Sequence, residues 1–117
     1  MARHTDVVAL QARPNVYGMI AKITAVPGKL EEFIEVLTKS TSSMPGGFSY
    51  VVAMDSADSS VIWVTEVWES VASHEASLSL PEVKSAISQA RSLVAKFERI
   101  AITSPVGGVG IGSSSNR

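Results

Sequence analysis

No other stretch restricts this chain as sharply as residues 61–70, Val61-Ile62-Trp63-Val64-Thr65-Glu66-Val67-Trp68-Glu69-Ser70. Six β-branched or aromatic residues fall before Trp68, and there is no Gly or Pro, so the spacing predicts a β-strand. Successive side chains on a strand alternate between faces, so Val61, Trp63, Thr65 and Val67 share one face and Ile62, Val64, Glu66 and Trp68 the other. Both faces are largely apolar, and both tryptophans of the chain lie here, five positions apart and therefore on opposite faces. One layer of helices covers one face only, so a second sheet is expected against the other, most simply from a second copy of the chain. Ser70 then offers an N-cap to a helix that contains His74.

The flanking segments follow the same periodicities. Residues 17–26 form an expected first strand with Tyr17, Met19, Ala21, Ile23 and Ala25 on an apolar face. Pro27-Gly28 ends it, and Leu30, Phe33, Ile34 and Leu37 recur at helical spacing over about residues 28–43. Pro45-Gly46-Gly47 is a turn before a strand at 48–54, which a polar loop at 55–60 joins to the strand at 61–70 as a hairpin. Helical segments are expected at 70–80 and 81–95, with Pro81 in the first turn of the second and Val83, Ile87, Ala90 and Val94 as its stripe. A last strand is expected at 96–103. This order, strand–helix–strand–strand–helix–strand, is the α+β ferredoxin-like split βαβ plan, a four-stranded antiparallel sheet with helices on one face. The domain spans residues 16–104. An N-terminal arm is expected at 1–15, with a short extended piece at 7–10, and a Gly/Ser-rich tail at 105–117.

Composition removes several functions. The chain has 117 residues, no cysteine, a formal net charge of −1 and a mean hydropathy of +0.22. Thiol nucleophiles and zinc–thiolate sites are excluded. Basic residues do not cluster, which speaks against nucleic acid and anionic membrane as partners. No apolar run approaches the roughly 20 residues of a membrane span, and the N-terminus lacks a signal-peptide core, so a cytoplasmic location is expected. An apolar fraction of 45% is high for a small domain and points to a homo-oligomer. Residues 107–112 carry four glycines, but Ser-rich residues follow them, with no helix to hold a phosphate, so no dinucleotide site is expected.

The polar or redox-capable groups expected near the sheet–helix cleft are Tyr50, Trp63, Glu66, Trp68, His74 and Arg91. His4 lies in the arm, far from His74, so one chain does not supply a multi-histidine metal site. An imidazole moves protons near neutral pH, yet His74 one turn after a helix cap also suits a structural role. The tryptophans suit core packing as well as a ligand pocket.

Taken together, Tyr17-Gly18-Met19-Ile20-Ala21-Lys22-Ile23-Thr24-Ala25-Val26-Pro27-Gly28-Lys29, Met44-Pro45-Gly46 before Ser49-Tyr50-Val51-Val52, Trp63-Val64-Thr65-Glu66-Val67-Trp68-Glu69-Ser70 and His74-Glu75-Ala76-Ser77-Leu78 with Pro81 resemble the antibiotic biosynthesis monooxygenase family, including its YgiN-type quinol monooxygenases. The resemblance extends over about residues 16–108. It implies a homodimer whose two sheets form an α+β barrel. It also implies a cofactor-independent monooxygenase that oxidises a quinol-like or polycyclic phenolic substrate with O2, using no metal or flavin. On that basis His74 is the expected catalytic residue, as general base or hydrogen-bond partner. Tyr50, Trp63 and Trp68 are expected as pocket wall and Arg91 as an anion stabiliser. Many members place a histidine where this chain has Ser77. Haem-degrading relatives use Asn, Trp and His where this chain has Ala21, Ser77 and Ile87, so haem chemistry is not expected. A non-enzymatic small-molecule-binding dimer on the same fold is the alternative.

Overall fold

The computed structural model describes residues 15–40 and 44–110. The expected arm up to residue 14, with its extended piece at 7–10 and His4, and the tail from residue 111 lie outside the described residues. The elements are β1 (Tyr17–Ala25), α1 (Leu30–Ser40), β2 (Gly47–Met54), β3 (Val61–Trp68), α2 (Val71–Ser77), α3 (Pro81–Ala90) and β4 (Val94–Thr103). They form one antiparallel sheet in the order β2-β3-β1-β4. The fold is therefore the α+β ferredoxin-like plan, with the strand of residues 61–68 and β1 at its centre. No helix among the described residues is long and apolar enough to cross a membrane.

Register fixes which side chains face the helices. Tyr17 pairs with Trp68, Met19 with Glu66, Ala21 with Val64 and Ile23 with Ile62. Across β2, Tyr50 pairs with Glu66 and Val52 with Val64. Cross-strand partners share a face, so these residues form the floor beneath the helices. The core is built on that floor: Ala21, Ile23, Ala25, Ile62 and Val64 from the sheet meet Phe33 of α1 and Leu93 from the turn before β4. Alanines at 21 and 25 let α1 approach closely enough to bury Phe33, which is 2% exposed. Burying such a side chain is worth about 1.5–3 kcal/mol.

Two expectations are corrected. The helix expected to run to residue 95 ends at Ala90, and β4 begins at Val94 rather than at 96. Leu93 plugs the core while its carbonyl accepts the Val26 N–H, and Val94 pairs with Ala25, so sheet pairing outcompetes the last helical turn. Val94 thus leaves the helical stripe, and Ile87 stands 42% exposed, whereas Val83 and Ala86 are buried. The segment expected as one helix from 70 to 80 is a helix from Val71 to Ser77, capped by Leu78 and followed by a turn.

Candidate functional site

The strand β3 delivers its last residues into a corner. Its terminal Trp68 is 2% exposed, and Glu69 and Ser70 then turn the chain directly into α2. The Ser70 hydroxyl accepts the Ser73 N–H at 3.0 Å, closing the helix N-terminus. The Gly46 carbonyl accepts the Glu69 N–H at 2.9 Å, which ties the start of β2 to the same corner. Gly46 has φ +82°, and a Cβ there would lie 2.6 Å from Ser73, so only glycine lets β2 and α2 meet this closely. The result places His74 beside Trp68, ring centroids 5.4 Å apart and edge-on, and beside Tyr17 at 5.2 Å.

Glu66 completes the group. Its side chain points to the helix side and is buried, the residue being 7% exposed. Trp68 Nε1–H donates to Glu66 Oε1 at 2.8 Å, and His74 Nε2 lies 3.8 Å from the same oxygen. Burial pushes the Glu66 carboxyl above its ordinary range, while the Trp68 hydrogen bond and the charges of His74 and Arg99 pull the other way. Tyr50, opposite Glu66 on β2, is held well above the ordinary phenol value by burial and by the Glu66 charge, so it stays protonated as a hydrogen-bond donor.

These groups open into a cavity of about 560 Å³ between sheet and helices, within the about 300–1,000 Å³ typical of small-molecule sites. The space exists because facing positions are small: Ala21 on β1, Ser77 on α2, Ala86 and Ala90 on α3. Its walls are otherwise mostly apolar, and its polar groups are Tyr50, Glu66, Trp68, His74, Ser77, Arg91 and Arg99. The Ser77 hydroxyl is occupied, donating to the His74 carbonyl at 2.6 Å. Among the described residues no three His, Cys, Asp or Glu side chains converge as a metal-ligand set.

Of the residues singled out from the sequence, Tyr50, Glu66, Trp68, His74 and Arg91 line this cavity. Trp63 does not. It points to the opposite face of the sheet, where Nε1–H donates to Asp55 Oδ1 at 2.7 Å and the Lys22 ammonium sits 5.8 Å from its ring. Trp63 therefore pins the β2–β3 loop, and its assignment to the pocket wall is corrected. The alternation along β3 already separates the two tryptophans; placing both against one ligand contradicted that count. The same alternation puts Glu66 with Trp68, although the sequence assigned Glu66 no role. Arg99 was missed because its face depends on bulges. Register slips between Ile20 and Ala21 and between Thr24 and Ala25 leave Ile100 and Ala95 as extra residues, so Phe97, Arg99 and Ile102 all face the helix side.

The comparisons with known proteins agree with this geometry. A protein from Chloroflexus aurantiacus J-10-fl, provisionally named an antibiotic biosynthesis monooxygenase, is 50% identical over 83% of this chain and 99% of its own, with a TM-score of 0.77. SnoaB of Streptomyces nogalater, a cofactor-independent oxygenase, shares the fold at 14% identity, covering 81% of this chain and 97% of its own with a TM-score of 0.68. A Pseudomonas aeruginosa protein does so at 20% identity, with 80% and 96% covered and a TM-score of 0.71. No curated protein matches the chain. The family model for antibiotic biosynthesis monooxygenases matches residues 16–89, more than half the chain and the whole of the Trp68–His74 corner, and the chain belongs to that family.

Proposed function

We propose that the cavity binds a quinol-like or polycyclic phenolic compound and that the protein promotes its oxidation by O2 as a cofactor-independent monooxygenase. The observation that carries this reading is the Glu66–His74 couple facing an apolar cavity beside Trp68. Family membership and the cofactor-independent oxygenase among the structural neighbours support it.

The chemistry needs little from the protein. His74 accepts the phenolic proton, and the Glu66 carboxylate at 3.8 Å balances the imidazolium. The phenolate passes one electron to O2, giving a phenoxyl radical and superoxide. These combine at the carbon para to the phenolic oxygen, forming a C–O bond. The peroxide takes the proton back from His74. Loss of the proton from that carbon then breaks the O–O bond, leaving one oxygen as a carbonyl and releasing the other as water. For a phenol with a free para position the balance is phenol + O2 → quinone + H2O. For a quinol, two successive electron transfers give quinone + H2O2. The Tyr50 O–H is available to hold the substrate oxygen, and the mostly apolar walls give the radical pair surroundings of low polarity.

A homodimer belongs to this reading. On the face away from the helices, Ile20, Val51, Trp63 and Val67 form an apolar band, and Val51 is 52% exposed. A second sheet laid on this band would shield it. Light scattering behind size exclusion tests it, and a monomer at micromolar concentration contradicts it.

Oxygen uptake with a panel of naphthols and naphthoquinols is the direct test of activity. Protein-dependent uptake should fall about 100-fold or more in His74→Ala, the usual contribution of a positioned base. Tight binding of an aromatic with no uptake would leave a non-enzymatic binding dimer instead.

A further inference from the structure

The cavity carries more positive charge than an aromatic pocket needs. Arg91, just past α3, and Arg99, on the helix side of β4, both line it, against the single carboxylate of Glu66. Neither guanidinium hydrogen-bonds or ion-pairs with another described residue. Arg99 is rooted beside Ala21 and Phe97, on a floor that is otherwise apolar up to Glu66. Both arginines are exposed where they line the cavity, and Arg99, on the helix side of β4, offers the five donors of its guanidinium to a ligand that enters there.

Resting on the monooxygenase reading above, we propose that the substrate is a hydroxylated aromatic carboxylate, whose carboxylate is held by Arg99 with Arg91 beside it at the β4 side of the cavity. The spacing suits such a molecule. Glu66 on β3 lies opposite Met19 and Arg99 on β4 opposite Ala21, so two strand spacings of about 4.8 Å and an offset of two residues at about 3.4 Å each separate the bases of the two side chains by about 12 Å. That span matches a fused two- or three-ring system with the hydroxyl at one end and the carboxylate at the other. Charge sets the direction. A substrate carboxylate is repelled by Glu66 and attracted by Arg99, so the hydroxyl is delivered to His74, Glu66 and Tyr50. A planar guanidinium fork fits a carboxylate in a bidentate manner, which a lone ammonium does not.

The test measures binding without turnover, by calorimetry under argon, with 2-naphthol and 6-hydroxy-2-naphthoate as probes, the latter carrying its hydroxyl and carboxylate at opposite ends of the ring system. The carboxylate probe should bind at least about tenfold more tightly, and its advantage should shrink as salt is raised. Arg99→Gln should abolish the difference and Arg91→Gln should reduce it. Lys96→Gln removes the same charge from the opposite face of β4 and should leave the difference intact. Equal affinities, no binding of either probe, or equal losses in Arg99→Gln and Lys96→Gln overturn the proposal. Oxygen uptake is read separately, so selective carboxylate binding without uptake would retire the oxidative reading and keep the anion site.

Discussion

Replacing Glu66 with Gln separates what the carboxylate does for the fold from what it does for the chemistry. The residue is 7% exposed, and its carboxyl titrates above its ordinary value near 4.5, chiefly because burial penalises the charge. The native state therefore holds this proton more tightly than the unfolded chain does. Stability from this group is complete below the unfolded value and is lost as pH rises through the native one. For one proton the slope cannot exceed about 1.4 kcal/mol per pH unit. Glutamine keeps an oxygen for the Trp68 Nε1–H, 2.8 Å away. Exchanging a charged acceptor for a neutral one costs about 1 kcal/mol, and removing the buried charge offsets that cost. Urea unfolding from pH 4.5 to 8 should give Glu66→Gln a stability at pH 7 within about 1 kcal/mol of the parent, or above it. Its stability–pH curve should also be flatter. Oxygen uptake should drop, because the His74 imidazolium loses its counter-charge. A loss above about 2 kcal/mol at pH 7, with the pH slope unchanged, would refute the argument that burial strains this carboxylate. Unchanged uptake would remove Glu66 from the proposed site.

The two tryptophans should behave as residues of different faces. Trp68→Ala should cost about 3–5 kcal/mol in urea unfolding and abolish ligand binding, because it empties the buried corner and strips Glu66 of its donor. Trp63→Phe should leave ligand affinity unchanged, since Trp63 contacts Asp55 and Lys22 rather than the cavity; a changed affinity would place Trp63 back at the site. Gly46→Ala should destabilise by more than about 1 kcal/mol, from a left-handed φ of +82° combined with the contact on Ser73, and should weaken binding by displacing α2 and His74. Full stability in that variant would show that β2 and α2 can separate without cost.

Periodicity alone carried the element order, the amphipathic α1, the Ser70 cap and the division of Trp63 from Trp68, because each depends on neighbours a few positions away. Helix and strand repeats are local, and a single sequence displays them. The end of α3 was not legible, since Val94 suits a helical stripe until Ala25 offers it a pairing partner. The role of Glu66 was half legible: its face followed from alternation, but its partners His74 and Arg99 come from α2 and β4. Arg99 was hidden altogether. Two bulges in β4 shift the alternation, and a bulge is set by how one strand meets another, which no repeat within the strand records. The stretch at 61–68 thus announced the fold through its own alternation. The tertiary structure alone decided that its Glu66–Trp68 end, with His74 and Arg99 brought in from elsewhere, faces a cavity.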